Sequence, residues 1–159
     1  MAGSVPSHPG VRYPPPLLFV VSLALGWLLH RIYPLPLLGA GARATEVVLG
    51  WIAILVSAVL MGWAVVSFRR ARTAIIPNRP ATMLVLGGPY RFTRNPMYLA
   101  FVVFYLGAGL LINSIWTLLL LPLVLVVLYV TVIRREERYL AATFGASYDA
   151  YRKQVHRWL

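Results

Sequence analysis

Among the residues able to do chemistry, acids are scarce: the chain has four, and two of them, Glu136 and Glu137, are adjacent. Neighbouring positions on a helix point to different faces, so this pair does not act as an acid and a base on one bond. Arg134, Arg135 and Arg138 surround it. The second polar concentration is Gly87-Gly88-Pro89-Tyr90-Arg91-Phe92-Thr93-Arg94-Asn95-Pro96-Met97-Tyr98, a cluster of turn formers, aromatics and arginines. Carboxylates could hold ribose hydroxyls or an ammonium group, arginines a carboxylate through paired donors, and Tyr90 and Tyr98 could offer ring faces to a sulfonium. The plainer alternative stays open: the glutamates only balance the neighbouring arginines at an interface, where exposed ion pairs contribute little. Cysteine is absent, which excludes disulfides, thiolate metal sites and a cysteine nucleophile. His8, His30 and His156 are too scattered for ligand spacing, so no metal site is expected.

The elements that must position these groups are apolar. Hydrophobic residues make up 60% of the chain and charged ones 12%, with mean hydropathy +0.74, against about 25% charged in a soluble domain. Two uncharged runs, residues 47–68 and 95–133, flank the polar island. The second is too long for one bilayer crossing and suits two, with Asn113-Ser114 as the turn and Pro122 as a kink. The pattern predicts an all-α integral membrane protein with four transmembrane helices at about 16–33, 46–68, 96–112 and 115–133. Helices three and four form a tight hairpin. Residues 1–15 are a flexible lead, 69–95 a loop carrying the site, and 134–159 an interfacial amphipathic helix broken near Gly145. Ala58 and Gly62 supply a small-residue face for helix contact.

The net charge of +11 does not point to nucleic acid, because the bases sit in short blocks beside the apolar runs. With four spans, every base except Arg31 and Arg43 falls on the side of the island. The positive-inside rule puts that side, with both termini and the active site, in the cytoplasm. Lys153 is the single lysine among fifteen bases, a bias that fits a GC-rich bacterial genome and so a bacterial inner membrane.

In order along the chain, Leu84-Val85, Gly88-Pro89-Tyr90, Arg94-Asn95-Pro96-Met97-Tyr98, Glu136-Glu137, Phe144-Gly145, Tyr148 and Tyr151 resemble the isoprenylcysteine carboxyl methyltransferase family. That family's signature is an Arg-His-Pro-x-Tyr-x-Gly block, a hydrophobic hairpin and a Glu-Glu pair, and the likeness covers about residues 69–159. It implies S-adenosyl-L-methionine as cofactor. Thr82, Met83, Leu84 and Val85 would line the adenosine, Tyr90, Arg94, Asn95, Pro96, Met97 and Tyr98 would close around it, and Glu136 would be the acid that holds it. Two departures stand out. Asn95 and Ala100 replace the block's His and Gly, and Asn-Pro-Met-Tyr is also similar to the phosphatidylethanolamine N-methyltransferase block. The family's substrate arginine falls at Val132, leaving Arg134 or Arg135 to take its place.

The resemblance implies methyl transfer to a lipophilic acceptor or lipid at the membrane interface. An isoprenylcysteine-like carboxylate needs no base, whereas an amine or thiol would need one, with Glu137 or a tyrosine the nearest candidate. Alternatives are a phospholipid amine N-methyltransferase, a small-thiol S-methyltransferase, and a non-catalytic membrane scaffold.

Overall fold

The computed structural model describes residues 9–11, 13–72 and 82–159, and among them every regular element is helical. In chain order these are α1 (Pro16–Ile32), α2 (Arg43–Arg70), α3 (Pro96–Ile112), α4 (Ile115–Leu128), a π-helical turn (Tyr129–Ile133), α5 (Arg134–Phe144) and α6 (Ala146–Gln154). Short 3₁₀ turns occupy Ala40–Ala42 and Gly88–Arg91. Prolines open α1 and α3, where a missing N–H costs nothing. Two stretches are long and apolar enough to cross a membrane, Arg43–Arg70 and Ile115–Phe144, while Pro16–Ile32 and Pro96–Ile112 are shorter apolar helices. Arg12, Arg79 and the first eight residues of the lead lie outside the described residues.

The chain divides into two compact units. The apolar unit comprises Pro14–Val59 and Tyr98–Leu128. There α2 buries a narrow stripe that includes Glu46, Gly50 and Ser57. A Cβ added at Gly107 would lie 2.8 Å from the Gly50 carbonyl oxygen, so backbone meets backbone at this crossing. Ser57 Oγ donates to the Ala100 carbonyl at 2.8 Å. Buried Tyr105 bonds Ser22 at 2.8 Å and donates to the Thr117 carbonyl at 2.9 Å, tying α1 to α4. Between α3 and α4, Asn113 takes φ 53°, and its side-chain oxygen accepts from Leu37 N at 2.7 Å and Leu38 N at 3.1 Å. Arg43 Nη2 donates to the Leu111 carbonyl at 2.8 Å, supplying a cation at the carboxyl end of α3. Large apolar side chains such as Val20, Leu25, Trp51, Leu55 and Val59 are exposed. So broad an apolar surface fits hydrocarbon better than water.

The polar unit comprises the described residues of Met1–Tyr13, with Leu60–Met97 and Tyr129–Leu159. One cluster joins Ala64, Val85 and Tyr90 with Phe68, Ala71 and Met97. Another joins Tyr148, Tyr151 and Val155 with Leu84, Leu140, Ala141 and Phe144. Gly145, at φ 48°, breaks α5 from α6 at the glycine where a break was expected. The small-residue face expected at Ala58 and Gly62 is not a packing face: both are exposed, and a Cβ at Gly62 would meet nothing within 4 Å. The close contact falls instead on the Gly50–Ser57 stripe. The described part of the lead is packed, with Val11 buried, Tyr13 hydrogen-bonded to Thr131, and the Gly10 carbonyl accepting from Arg135 Nη1 at 2.9 Å.

Candidate functional site

The polar island is built against the end of α2. Gly88 takes φ +63°, and a Cβ there would collide with Ser67 Oγ and lie 3.0 Å from Trp63 Nε1. Both the left-handed backbone and the close approach therefore require glycine. The turn that follows buries Pro89 and Tyr90. Tyr90 meets Phe68 edge-on with centroids 5.3 Å apart, and its carbonyl accepts from the Tyr151 hydroxyl at 2.7 Å. Burial pushes the Tyr90 phenol well above its ordinary value, with the charges of Tyr151 and Glu136 adding to it. Glu136 lies half-buried in the first turn of α5.

Glu137 faces a different set of groups. Arg157 grips both of its oxygens, Nε to Oε1 at 2.9 Å and Nη2 to Oε2 at 2.9 Å. Arg94 Nη1 approaches Oε1 at 3.2 Å and donates to the Tyr148 hydroxyl at 3.4 Å. Hydrogen bonding to Glu137 raises the Arg157 pKa. Burial, then the Glu137 charge, pushes the Tyr148 phenol up, and burial does the same to Tyr151. These three tyrosines stay protonated across the physiological range and act as hydrogen-bonding and packing groups. The two glutamates thus diverge as adjacent helical positions must. The pairing of Glu137 with Arg138 in solvent is not what forms: Arg138 Nε donates to the Arg134 carbonyl at 3.2 Å.

The segment after α6 is sewn to the island. The His156 carbonyl accepts from Arg94 N at 3.0 Å. The Arg157 carbonyl accepts from Thr93 Oγ1 at 3.0 Å and Asn95 Nδ2 at 2.9 Å. Asn95 thus spends a side-chain N–H on the chain itself. The Arg157 guanidinium also lies 4.9 Å over the Tyr129 ring, a cation–π contact with the π-turn.

The remaining expected residues are divided. Thr82 and Met83 are exposed, Leu84 packs on Tyr148 and Tyr151, and Val85 is buried beside Tyr90. Pro96 is buried and Met97 flanks the Tyr90 cluster. Tyr98 is buried but belongs to the apolar unit. Val132 is fully buried in the π-turn, Arg134 is exposed, and Arg135 is engaged with the Gly10 carbonyl. Arg157 and the His156 carbonyl are the contributors that spacing does not reveal; the basic residue at 157 is visible only as one of a tail of charges. Among the described residues no cluster of His, Cys, Asp or Glu could hold a metal.

The chain matches the phospholipid methyltransferase family over residues 45–147 and belongs to it. It is a helical membrane protein of a methyltransferase family. It is 40% identical over 73 residues to the protein-S-isoprenylcysteine O-methyltransferase of Schizosaccharomyces pombe, covering 46% of this chain and 31% of that protein. It is 36% identical over 69 residues to the cobalt-zinc-cadmium resistance protein CzcN of Cupriavidus metallidurans, covering 43% and 32%. A nickel-cobalt-cadmium resistance protein, NccN of Alcaligenes xylosoxydans xylosoxydans, is 32% identical over 107 residues, covering 66% and 50%. The chain thus matches only 31% to 50% of the length of these curated relatives. No solved structure gives a significant match.

Proposed function

We propose that the chain transfers a methyl group from S-adenosyl-L-methionine to a lipophilic acceptor at the membrane interface, in the manner of the isoprenylcysteine O-methyltransferases. The observation that carries the reading is the match to the phospholipid methyltransferase family over residues 45–147, with the island as far as Met97 and α5 lying in one compact unit. The donor set suits the cofactor. It includes a half-buried carboxylate, an irregular backbone stretch at residues 82–86, and the buried Arg94 Nε, which has no hydrogen-bond partner in the protein. Glu136 would take the cofactor's ribose hydroxyls or ammonium, Arg94 its carboxylate, and the 82–85 stretch its adenine edge.

When bound, the cofactor supplies an electrophilic methyl carbon on a sulfonium. The protein's part is orientation and exclusion of water, since an in-line displacement gains most from placement. Four crossings, at about residues 16–33, 46–68, 96–112 and 115–133, would set the polar unit on the cytoplasmic face. The acceptor side is assigned to the exposed Arg134, with Arg135 available on release of Gly10. Glu137 is best read as a structural counter-ion. A phospholipid amine as acceptor is the second reading, favoured by the family matched and by the block Asn95-Pro96-Met97-Tyr98.

Purified protein in detergent should bind S-adenosylhomocysteine by calorimetry and melt at higher temperature with it. Glu136→Gln should weaken that binding roughly ten- to a hundredfold, the worth of a hydrogen bond to a charged group. Absence of any signal at millimolar ligand would leave the scaffold reading standing. Labelled cofactor incubated with prenylcysteine, phosphatidylethanolamine and small thiols would then sort the acceptors.

A further inference from the structure

We propose that Arg157 is a positioning residue of this site: its grip on Glu137 sets the roll of α5, and so the face on which Glu136 is presented to the island. The inference rests on the methyl-transfer reading above. Glu136 and Glu137 are consecutive, about 100° apart around the helix, so fixing one fixes the direction of the other. The carboxyl half of α5 is held by apolar packing of Leu140, Ala141 and Phe144 against Tyr148, Tyr151 and Val155. In its first turn, where the glutamates sit, Arg157 meets Glu137 through two parallel donors at 2.9 Å. A bidentate fork defines orientation as well as distance.

Arg157 holds two further parts in register. Its guanidinium covers Tyr129 in the turn that leads into α5. Its main-chain carbonyl is held by Thr93 and Asn95, while Arg94 N holds the carbonyl of His156. One residue therefore ties the island, the π-turn and α5 together. Arg94 also reaches Glu137, but by a single 3.2 Å approach shared with Tyr148, and one point of contact leaves the roll free. The Asn95 amide is part of the same tie, so its role in the site is to hold residue 157.

The geometry also separates positioning from stability. Removing the Arg157 guanidinium leaves Glu137 its second partner, Arg94 at 3.2 Å, so no carboxylate is stranded and the cost to folding is small. The test measures S-adenosylhomocysteine affinity and the melting temperature of the ligand-free protein for wild type, Arg157→Ala and Arg157→Lys. Alanine keeps the main-chain carbonyl and removes only the fork. It should weaken binding roughly tenfold with a small change in melting, and lysine, which keeps charge without the fork, should fall between. Affinity within about twofold of wild type, or a loss fully explained by a smaller folded fraction, overturns the proposal. If the alanine protein does not fold, lysine decides, and wild-type affinity there overturns it. Wild-type protein that fails to bind the ligand refutes the methyl-transfer reading itself, and the positioning role with it.

Discussion

Thr117 and Arg157 are both crossing points, one in the apolar unit and one in the polar unit, and they hold their neighbours by opposite means. Thr117 works by being small. A Cβ added at Gly26 would lie 2.9 Å from its methyl carbon, and one at Gly109 would lie 2.6 Å from its Oγ1. Its own hydroxyl is turned inward to the Ser114 carbonyl at 2.7 Å. Arg157 works by reach, spanning a carboxylate, a ring and two side-chain donors. On the four-span reading proposed above, the contrast follows from the medium. Between helices in lipid no hydrophobic force favours contact, so close backbone approach and satisfied polar groups hold them together. At an aqueous edge, forks, rings and main-chain carbonyls can be recruited, and they define direction as well as proximity.

The sharpest break of that comparison is Gly107→Ala. The new methyl would sit 2.8 Å from the Gly50 carbonyl oxygen and 3.0 Å from Ala53 Cβ. Backbone cannot swing aside as a side-chain tip can, so overpacking of about 1–3 kcal/mol is expected. Unfolding in detergent should show that loss, while the fraction still folded binds S-adenosylhomocysteine with wild-type affinity. A loss of affinity without a loss of stability would erase the distinction between the units.

Next in size is Glu137→Gln. Arg94 is 13% exposed beside it, and a neutral amide would leave that buried charge and Arg157 without a counter-ion. Removing one partner of a buried pair costs more than the pair itself contributes; at this partial exposure a loss of about 1–2 kcal/mol is expected. The melting temperature should therefore fall more for Glu137→Gln than for Glu136→Gln. Affinity should fall more for Glu136→Gln. The reverse ordering in melting temperature would mean that the two carboxylates are assigned to the wrong faces.

These residues also show what was legible in the chain. The turns were: Pro16, Asn113 and Gly145 punctuate the sequence by local backbone preference, and the helices begin, pause and break there. The polar island and the glutamates were legible as chemistry because their residue types are rare in an apolar chain. The facing of α2 was not. Ala58 and Gly62 fit a small-residue spacing as well as Gly50 and Ser57 do, and only the partner helix decides between them. Sequence proximity sets Glu137 among Arg134, Arg135 and Arg138, although consecutive helical residues do not face each other. Its partners lie far along the chain at Arg94 and Arg157. Nothing in a periodicity encodes pairing over that distance, and the likeness to a methyltransferase family names candidate residues without revealing what holds them.

The smallest expected effect tests the reading of α2 most cleanly. Gly62 lies in mid-helix, exposed, with open space around an added methyl, whereas Gly50 on the same helix would drive a methyl to 2.7 Å from Leu111 Cδ2 and 3.0 Å from the Gly107 carbonyl oxygen. Alanine is favoured over glycine in a helix interior by up to about 1 kcal/mol. Gly62→Ala should therefore leave stability unchanged or raise it by a fraction of that, with ligand affinity untouched. Gly50→Ala should lower stability, by less than Gly107→Ala, because the Leu111 tip can give way. Equal destabilisation by Gly62→Ala and Gly50→Ala in the same detergent would mean that both faces of α2 are packed, and the Gly50–Ser57 stripe would no longer be the distinguishing feature of the apolar unit.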